Sequence, residues 1–500
     1  MTMGWDTEIS FADFVAGAAN DNERNDIYLM MGYSDYNNPA NEIEKIVLNN
    51  PDAIQAKVLT VRAINRIERS LLTTYPYQDE VTANARFPYW NNYLTEELRP
   101  FFNQVMSLCD RQVANASDKN FWNLASSYMH FLNLDFDYAT QALNNVKSAD
   151  DFYMTMVRNL TAYIDICRQP SLTPDVERDL FAKYSDLIAS DGNTQQNNNY
   201  CFNGAGSPTF VDQVLTNRYA LQGDHAKSFF VINHLTEIEN QPDETLLDDI
   251  QTFLLKKKKT PMEEYFADKG VKNLDNPYNY ISYVKGVIRL TDGDFKDAKS
   301  FFEKQTRLKV SKRIFGHNIY VRFSDEERKV MNDDYIGEFP FIHDNMSELD
   351  VADVLMQLQK IANKKKGDES AKANYLIANF FYNVSPTGYF RHYLRFDNNN
   401  GWTSVKYGLD VDTYKNTLSL STAYLNKAME TATDRELQAH IAFAYAKNVQ
   451  QDLERDASEW HENAIFPKEQ FDEFEQYAGT SYYTSVLSNC LYFEKYHIGY

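Results

Sequence analysis

Residues 283–305 read YVKGVIRLTDGDFKDAKSFFEKQ, and this stretch decides the fold that the sequence predicts. Gly286 and Ala298 lie twelve positions apart, and Gly293 lies between them. Small residues let two helices cross closely, and a glycine tolerates the sharp turn that joins them. We therefore expect two antiparallel helices that cross at Gly286 and Ala298. The large residues expected to pack around this crossing are Phe295 and Phe302.

A second window, residues 121–146, repeats this spacing with different residues. Ser127 takes the first small position, Ala139 follows twelve residues later, and Leu134 stands at the turn in place of glycine. We expect a second helix pair here, joined by a turn that forms without glycine.

A third window is marked by a repeated string. Residues 226–230 read AKSFF, as do residues 298–302, and the offset of 72 residues is close to two lengths of a helix-pair repeat. Gly223 and Asp224 directly precede this window's second helix, and aligning the two strings predicts a shorter turn than in the first window. Residues 423–428 are similar to the second helix of a further pair.

The three windows resemble the tetratricopeptide repeat. That resemblance implies an all-α array of helix pairs, an α-solenoid, whose extended concave surface binds other proteins. The alternative is generic packing of antiparallel helices, because any such pair puts small residues where its helices cross. The structural repeat positions implied by the resemblance are Gly286, Gly293, Phe295, Ala298 and Phe302.

Other segments have the spacing of an amphipathic helix. One of them has apolar residues at positions that share a helix face, namely Val351, Val354, Leu355, Leu358 and Ile361. The chain has 500 residues but contains 18 glycines and 14 prolines, and so few helix breakers favour helices over a loop-rich β protein.

Interruptions in the helical pattern divide the chain into four parts. We expect an N-terminal helical domain over residues 1–191 and tetratricopeptide-like helix pairs over residues 209–306. A small β-containing insertion is expected over residues 307–345, and a C-terminal helical domain over residues 346–500.

The insertion is predicted from an alternating, strand-like run at residues 318–323. Ser324 and Glu327 follow this run with the spacing of a capping box, in which each side chain accepts a hydrogen bond from the other's backbone amide. We therefore expect a strand and then a helix start within the insertion.

Residues 385–408 contain proline, glycine and a run of asparagines, and are predicted to form a long loop. The loop is rich in aromatic residues, so we interpret it as an ordered segment that contacts an acidic or sugar-like ligand. Plain surface exposure is the alternative. The candidate binding residues are Tyr389, Arg391, His392, Tyr393, Arg395 and Trp402.

The last third of the chain carries a second, more degenerate resemblance. Its matching segments are YLIAN at 375–379, YNVS at 382–385, Gly388, AYLNKA at 423–428, ELQA at 436–439, and the C-terminal Tyr482, Tyr483, Cys490 and Tyr496. They resemble a family of large uncharacterised lipoproteins of Bacteroidetes-type bacteria. This resemblance implies export, a lipid anchor in the native chain, and a place in the periplasm or at the outer membrane; a cytoplasmic protein is the alternative. The family usually has two tyrosines where this chain has Pro386 and Thr387, which puts the shape or ligand of the loop in doubt.

Charge and composition exclude several classes of function. The net charge of −21 and pI near 4.9 argue against nucleic-acid binding, which needs a basic face. No run of about 18 apolar residues is present, so no membrane span is predicted. The four cysteines have no CxxC spacing, and we predict no metal site. They are Cys109, Cys167, Cys201 and Cys490.

Motifs for catalysis and for cofactor binding are missing from the sequence. It has no GxxxxGK[ST], no GxGxxG after a strand, no HExxH and no GxSxG, so we predict no cofactor and no catalytic residue.

These observations predict a non-catalytic binding scaffold that holds a protein partner. A surface lipoprotein that binds a glycan or a small ligand is the first alternative. An all-α toroidal glycoside hydrolase is the second, since such enzymes use two carboxylates and the chain has 71 acidic residues.

Overall fold

The computed structural model describes most of the chain. The described residues are 11–34, 38–71, 98–189, 210–240, 242–317, 335–385, 388–394, 417–456 and 466–499. The strand-like run at 318–323 and the capping box of Ser324 and Glu327 lie outside these residues.

Regular structure in the described residues is almost entirely α-helical, which confirms the predicted all-α class. The helices of the first half are α1 (Phe11–Ala16), α2 (Asp21–Gly32), α3 (Pro39–Asn49), α4 (Ile54–Leu71), α5 (Leu98–Asn115), α6 (Lys119–Leu132), α7 (Phe136–Asn144), α8 (Asp151–Arg168), α9 (Pro174–Ile188), α10 (Phe210–Leu221) and α11 (His225–Ile232). Those of the second half are α12 (Glu244–Leu255), α13 (Pro261–Gly270), α14 (Pro277–Thr291), α15 (Phe295–Phe302), α16 (Glu348–Lys364), α17 (Asp368–Asn383), α18 (Arg391–Leu394), α19 (Leu418–Thr431), α20 (Arg435–Asp456), α21 (Lys468–Phe474), α22 (Ser481–Asn489) and α23 (Leu491–His497). Short 3₁₀ segments occupy Leu235–Asn240, Lys312–Phe315, Ile336–Glu338 and Glu475–Tyr477.

A two-stranded antiparallel sheet agrees with the expected small β-containing insertion, although it does not use the strand-like run at 318–323 and its second strand lies just beyond residue 345. Strand β1 (Lys309–Val310) pairs with β2 (Met346–Ser347), with Lys309 opposite Ser347 and Val310 opposite Met346. Ser347 then caps α16, because its Oγ accepts a hydrogen bond from the Asp350 amide and the Asp350 carboxylate accepts one from the Ser347 amide. The sheet therefore sets where α16 begins.

The chain forms two compact units. The first contains Met1–Ile232 together with Lys256–Lys269, and the second contains Asn233–Leu255 and most residues from Gly270 onward. None of the described helices is long and apolar enough to span a membrane.

Three helix pairs are joined by the same turn: α6–α7, α10–α11 and α14–α15. Each turn contains one residue in the left-handed region, and these residues are Leu134, Gly223 and Gly293, with φ of 66°, 79° and 80°. An aspartate follows in each case, and its amide donates a 2.9 Å hydrogen bond to the carbonyl oxygen five residues earlier, from Asp135 to His130, from Asp224 to Tyr219 and from Asp294 to Arg289. This is the Schellman arrangement, which satisfies the last carbonyls of the first helix.

The paired helices cross closely at positions fixed relative to that turn. A small residue lies seven positions before the left-handed residue, and another lies five positions after it. In two pairs a hydroxyl bridges the backbones directly, because the Ser127 Oγ donates to the Ala139 carbonyl oxygen and the Ser228 Oγ donates to that of Thr216, both at 2.7 Å. In the third pair a Cβ on Gly286 would lie 2.7 Å from the Phe302 ring.

The shorter turn predicted for the third window is wrong. Gly223 and Asp224 lead into α11 just as Gly293 and Asp294 lead into α15. Relative to their turns, the two AKSFF strings are therefore offset by two residues. Ser228, and not Ala226, occupies the position that corresponds to Ala298. Turn geometry sets this register, since the Schellman hydrogen bonds determine where the second helix starts.

A buried polar network holds the first unit together around Glu177, which is fully buried in α9. Its carboxylate accepts hydrogen bonds from the Tyr219 hydroxyl at 2.9 Å, the Lys227 ammonium at 2.9 Å and the Thr260 hydroxyl at 2.8 Å. These donors come from α10, α11 and the residue before α13. The network therefore ties α13 to the first unit, although the preceding helix belongs to the second.

The amphipathic pattern of α16 is confirmed in the second unit. Val351, Val354, Leu355 and Leu358 are buried, and Ile361 is half-buried at the end of the helix. Next to α16, α17 packs against α19, where the Ser421 hydroxyl donates to the Ala378 carbonyl oxygen at 2.8 Å.

Two histidines pack in the second unit, where His317 is buried and His440 is half-buried. The His440 ring stacks on Tyr482 with the ring centroids 3.5 Å apart, and His317 Nδ1 lies 3.4 Å from the Tyr482 hydroxyl. Burial lowers the pKa of both imidazoles to about 3, and the charge of Lys447 contributes to the lowering at His317. Both rings are therefore neutral in the folded protein at physiological pH.

Gly286→Ala should destabilise the protein, because the new Cβ would overlap the Phe302 ring in the crossing of α14 and α15. We expect the free energy of unfolding to fall by about 1–3 kcal/mol in urea denaturation. Gly337→Ala is the matched control, since a Cβ there meets no atom within 4 Å. Equal stability of the two variants would contradict the close crossing.

Stability should fall as pH drops from 6.5 toward 3. An unfolded histidine has a pKa near 6.5, so the unfolded chain binds protons in this range that the folded His317 and His440 do not. Between pH 6.5 and pH 5 each histidine should lower the free energy of unfolding by about 2 kcal/mol. In urea denaturation, His440→Gln should reduce the dependence of the unfolding free energy on pH. His343→Gln, at an exposed position, should not change that dependence. An unchanged slope in His440→Gln would refute this assignment.

Candidate functional site

An open cleft of about 510 Å³ lies in the second unit, where the turn between α14 and α15 meets α16. Four residues of α16 line one wall, and their spacing keeps them on one helix face: Met356, Gln359, Lys360 and Asn363. All the lining residues are Asp292, Gly293, Asp294, Phe295, Lys296, Met356, Gln359, Lys360 and Asn363. The cleft is therefore built from the repeated turn and the neighbouring helix.

Phe295 is 2% exposed and packs behind the surface of the cleft. Its ring stacks on Phe381 with centroids 6.0 Å apart, and Phe381 in turn stacks on Tyr424 at 5.9 Å. The Gln359 amide donates a 3.3 Å hydrogen bond to the Tyr424 hydroxyl, which orients one lining side chain. Three helices, α15, α17 and α19, thus hold the apolar side of the cleft in place.

Gly293 forms an edge of the cleft, and its backbone conformation explains why glycine occupies this position. With φ of 80° it occupies the left-handed region, where a Cβ is unfavourable. Asp294 follows, and its carboxylate accepts a 3.3 Å hydrogen bond from the Asp297 amide at the start of α15. Helix capping therefore uses one acceptor site of that carboxylate.

The lining combines charged, polar and apolar groups. It includes two carboxylates, two ammonium groups, two side-chain amides and a thioether. Within the described part of the chain, no group of three or more His, Cys, Asp and Glu side chains could hold a metal ion.

The structure describes some of the binding residues predicted in the aromatic loop. Tyr389 is 63% exposed and packs edge-on against Phe390, with centroids 5.0 Å apart. Arg391 is half-buried, and its guanidinium donates a 3.4 Å hydrogen bond to the Gly388 carbonyl oxygen. His392 belongs to α18, but its side chain lies outside the described residues, as do Arg395 and Trp402.

Tyr393 is buried rather than exposed, which corrects its assignment as a ligand contact. Its side chain is 6% exposed, and its hydroxyl has no hydrogen-bond partner among the described residues. Burial, and secondly the carboxylate of Glu348, raise the pKa of Tyr393 well above its ordinary value. The hydrophobic ring packs into the unit, so Tyr393 anchors the segment instead of meeting a ligand.

The sequence analysis names none of the α16 residues that line the cleft. Its apolar pattern from Val351 to Ile361 marks the buried face of α16. The cleft residues Met356, Lys360 and Asn363 lie on the other face of the helix. The periodicity identifies that outer face, but it does not indicate which other element lies opposite.

Comparison with protein-family models, curated proteins and solved structures found no match for this chain. No residue role can therefore be transferred from a relative. The geometry of the described residues is the basis for any functional proposal.

Tyr393→Phe should stabilise the protein or leave it unchanged, because a buried hydroxyl without a hydrogen bond carries a desolvation cost. We expect the free energy of unfolding in urea to rise by about 1 kcal/mol. The matched control is Tyr283→Phe, which removes a buried hydroxyl that donates to Glu348 at 3.3 Å and should cost about 1 kcal/mol. A loss of stability in Tyr393→Phe would show that its hydroxyl is satisfied.

Proposed function

We propose that this chain is a non-catalytic binding scaffold that holds a protein partner on its helix-pair surface. The observation that carries the proposal is the open cleft beside α16. Its mixture of both charges, amides and apolar surface complements the backbone and side chains of a peptide segment.

The dimensions of the cleft support a short peptide segment as the bound element. Met356 and Asn363 are seven residues apart on α16, which corresponds to about 10 Å along the helix axis. About three residues of extended chain span that distance. Met356 is half-buried and offers the apolar contact that an anchoring side chain needs. Lys360 and Asp292 offer polar contacts at the rim of the cleft.

Two resemblances add to the proposal. The repeated helix pairs are similar to tetratricopeptide repeats, whose arrays bind proteins. The last third is similar to Bacteroidetes-type lipoproteins, which favours a place in the cell envelope, tethered by lipid and facing the periplasm or exterior. Under this proposal the partner is a protein of that same compartment.

Lys360→Glu should reduce the amount of partner captured from cross-linked cells of the source organism, because it reverses a charge on the cleft wall. A reversed rim charge weakens binding by about tenfold or more when it faces a complementary group. Lys258→Glu makes the same charge change at an exposed position in the first unit and should leave capture intact. Mass spectrometry of the captured material, after separating envelope from soluble fractions, gives the readout.

Equal capture by both variants would contradict the cleft as the binding site. A partner found with the chain only in the soluble fraction would contradict the envelope location. If neither variant nor the parent captures a protein, a glycan becomes the better candidate, favoured by the 63% exposed ring of Tyr389. Binding to a glycan array that Tyr389→Ala abolishes would then replace the protein-scaffold proposal.

A further inference from the structure

His130, in the last turn of α6, lies between two carboxylates of the first unit. Its Nε2 atom lies 3.3 Å from Oδ1 of Asp110 on α5, and its Nδ1 atom lies 3.6 Å from Oδ2 of Asp135. Asp135 follows the left-handed residue of the α6–α7 turn, and its amide donates to the His130 carbonyl oxygen. The imidazole therefore joins this turn to the helix that precedes the pair.

Each carboxylate also accepts a hydrogen bond from a neutral group nearby. The Ser126 hydroxyl donates to Asp110 at 2.5 Å, and the Asn133 side-chain amide donates to Asp135 at 2.6 Å. These bonds do not depend on pH in the physiological range, because neither donor titrates there. They hold the two acids in position whether or not the imidazole carries a charge.

The orientation of the imidazole is restricted from the α7 side. The Tyr138 ring stacks on it with the ring centroids 5.3 Å apart, and the His130 side chain is only 14% exposed. An imidazolium donates from both nitrogens, whereas a neutral imidazole donates from one and presents a lone pair at the other. In this position the charged ring attracts both carboxylates, and the neutral ring must turn a lone pair toward one of them.

The charges around the ring favour its protonated form. The hydrogen bond with Asp110 raises the pKa of His130, burial opposes this rise, and the charges of Asp110 and Asp135 add to it. An unfolded histidine has a pKa near 6.5. Because the folded pKa is higher, the stabilisation is complete below pH 6.5 and is lost as the pH rises through the folded pKa.

Helices α4 and α8 also pack against α6. The titratable groups that they turn toward it are Lys57 and Glu68 of α4 and Tyr163 of α8, and these meet Asp118, Tyr128 and Phe131. Among the described residues, the charges that act on the imidazole are therefore those of Asp110 and Asp135.

We propose that Asp110, His130 and Asp135 form a pH-sensitive clasp, which fastens the α6–α7 turn to α5 when the imidazole is protonated and loosens it when the proton leaves. The clasp regulates how firmly one helix pair is held on the helix before it. It uses no residue of the α16 cleft, so it stands or falls independently of the proposed function.

The test is hydrogen exchange of the full-length protein, followed by mass spectrometry in the peptide that covers residues 129–139. Exchange is measured from about pH 6 to pH 9 and corrected for the intrinsic effect of pH on amide exchange, so that the range begins near the ordinary pKa of histidine. Protection should fall about tenfold as the imidazole loses its proton, which is the effect of losing one charge-assisted hydrogen bond.

His130→Gln keeps a neutral donor and acceptor but cannot carry the charge, so protection in this variant should be low and independent of pH. His225→Gln, at an exposed position of the same unit, is the matched control and should retain the pH dependence of the parent. Proton NMR of the parent, with the His130 resonance assigned from its absence in His130→Gln, should give a titration midpoint above 6.5. Asp135→Asn keeps an acceptor for Asn133 and should lower that midpoint.

Three outcomes would overturn the proposal. The first is a His130 midpoint at or below 6.5 in the parent protein. The second is corrected protection of residues 129–139 that does not change with pH in the parent. The third is an unchanged pH dependence in His130→Gln or, if that variant does not fold, an unchanged His130 midpoint in Asp135→Asn.

Discussion

The close crossing of paired helices is the constraint on which the rest of this structure depends. In each pair the first helix ends in a Schellman turn, which places one residue in the left-handed region. An aspartate follows that residue, and the second helix begins at the next position. The two helices then cross at the residue seven positions before the left-handed residue and at the residue five positions after it. Only small side chains fit there, as Ser127, Thr216 and Gly286 show on the first helix of each pair.

The candidate cleft is a consequence of that same turn. Asp292 to Lys296 are held together by the hydrogen bonds that end α14 and start α15, and the position of Gly293 keeps the turn from filling the space in front of α16. Phe295 supports the cleft from behind, since its buried ring packs in the stack with Phe381 and Tyr424. A binding surface made this way is rigid, so it orders few groups when a ligand arrives.

The buried acid Glu177 shows how tertiary structure stabilises a charge inside the first unit. Its carboxylate has three donors, one of which is the ammonium group of Lys227, and this pairing ties four parts of the unit together. A fully buried carboxylate is tolerated there because its neighbours supply both hydrogen bonds and a positive charge.

The helical class and the three helix pairs follow from the sequence, because turn chemistry and 3.6-residue periodicity are local properties of the chain. Spacing alone also identifies the small residues at two of the crossings and places Leu134 at a glycine-like turn position. The string repeat misaligned the third pair, although the Schellman turn at Gly223 that sets its register is local. Tertiary contacts decide the burial of Tyr393, the partners of Glu177 and the cleft beside α16. Each of these depends on residues that are distant in the chain and meet only after the helices pack, and no periodicity within one helix specifies which element will lie opposite it.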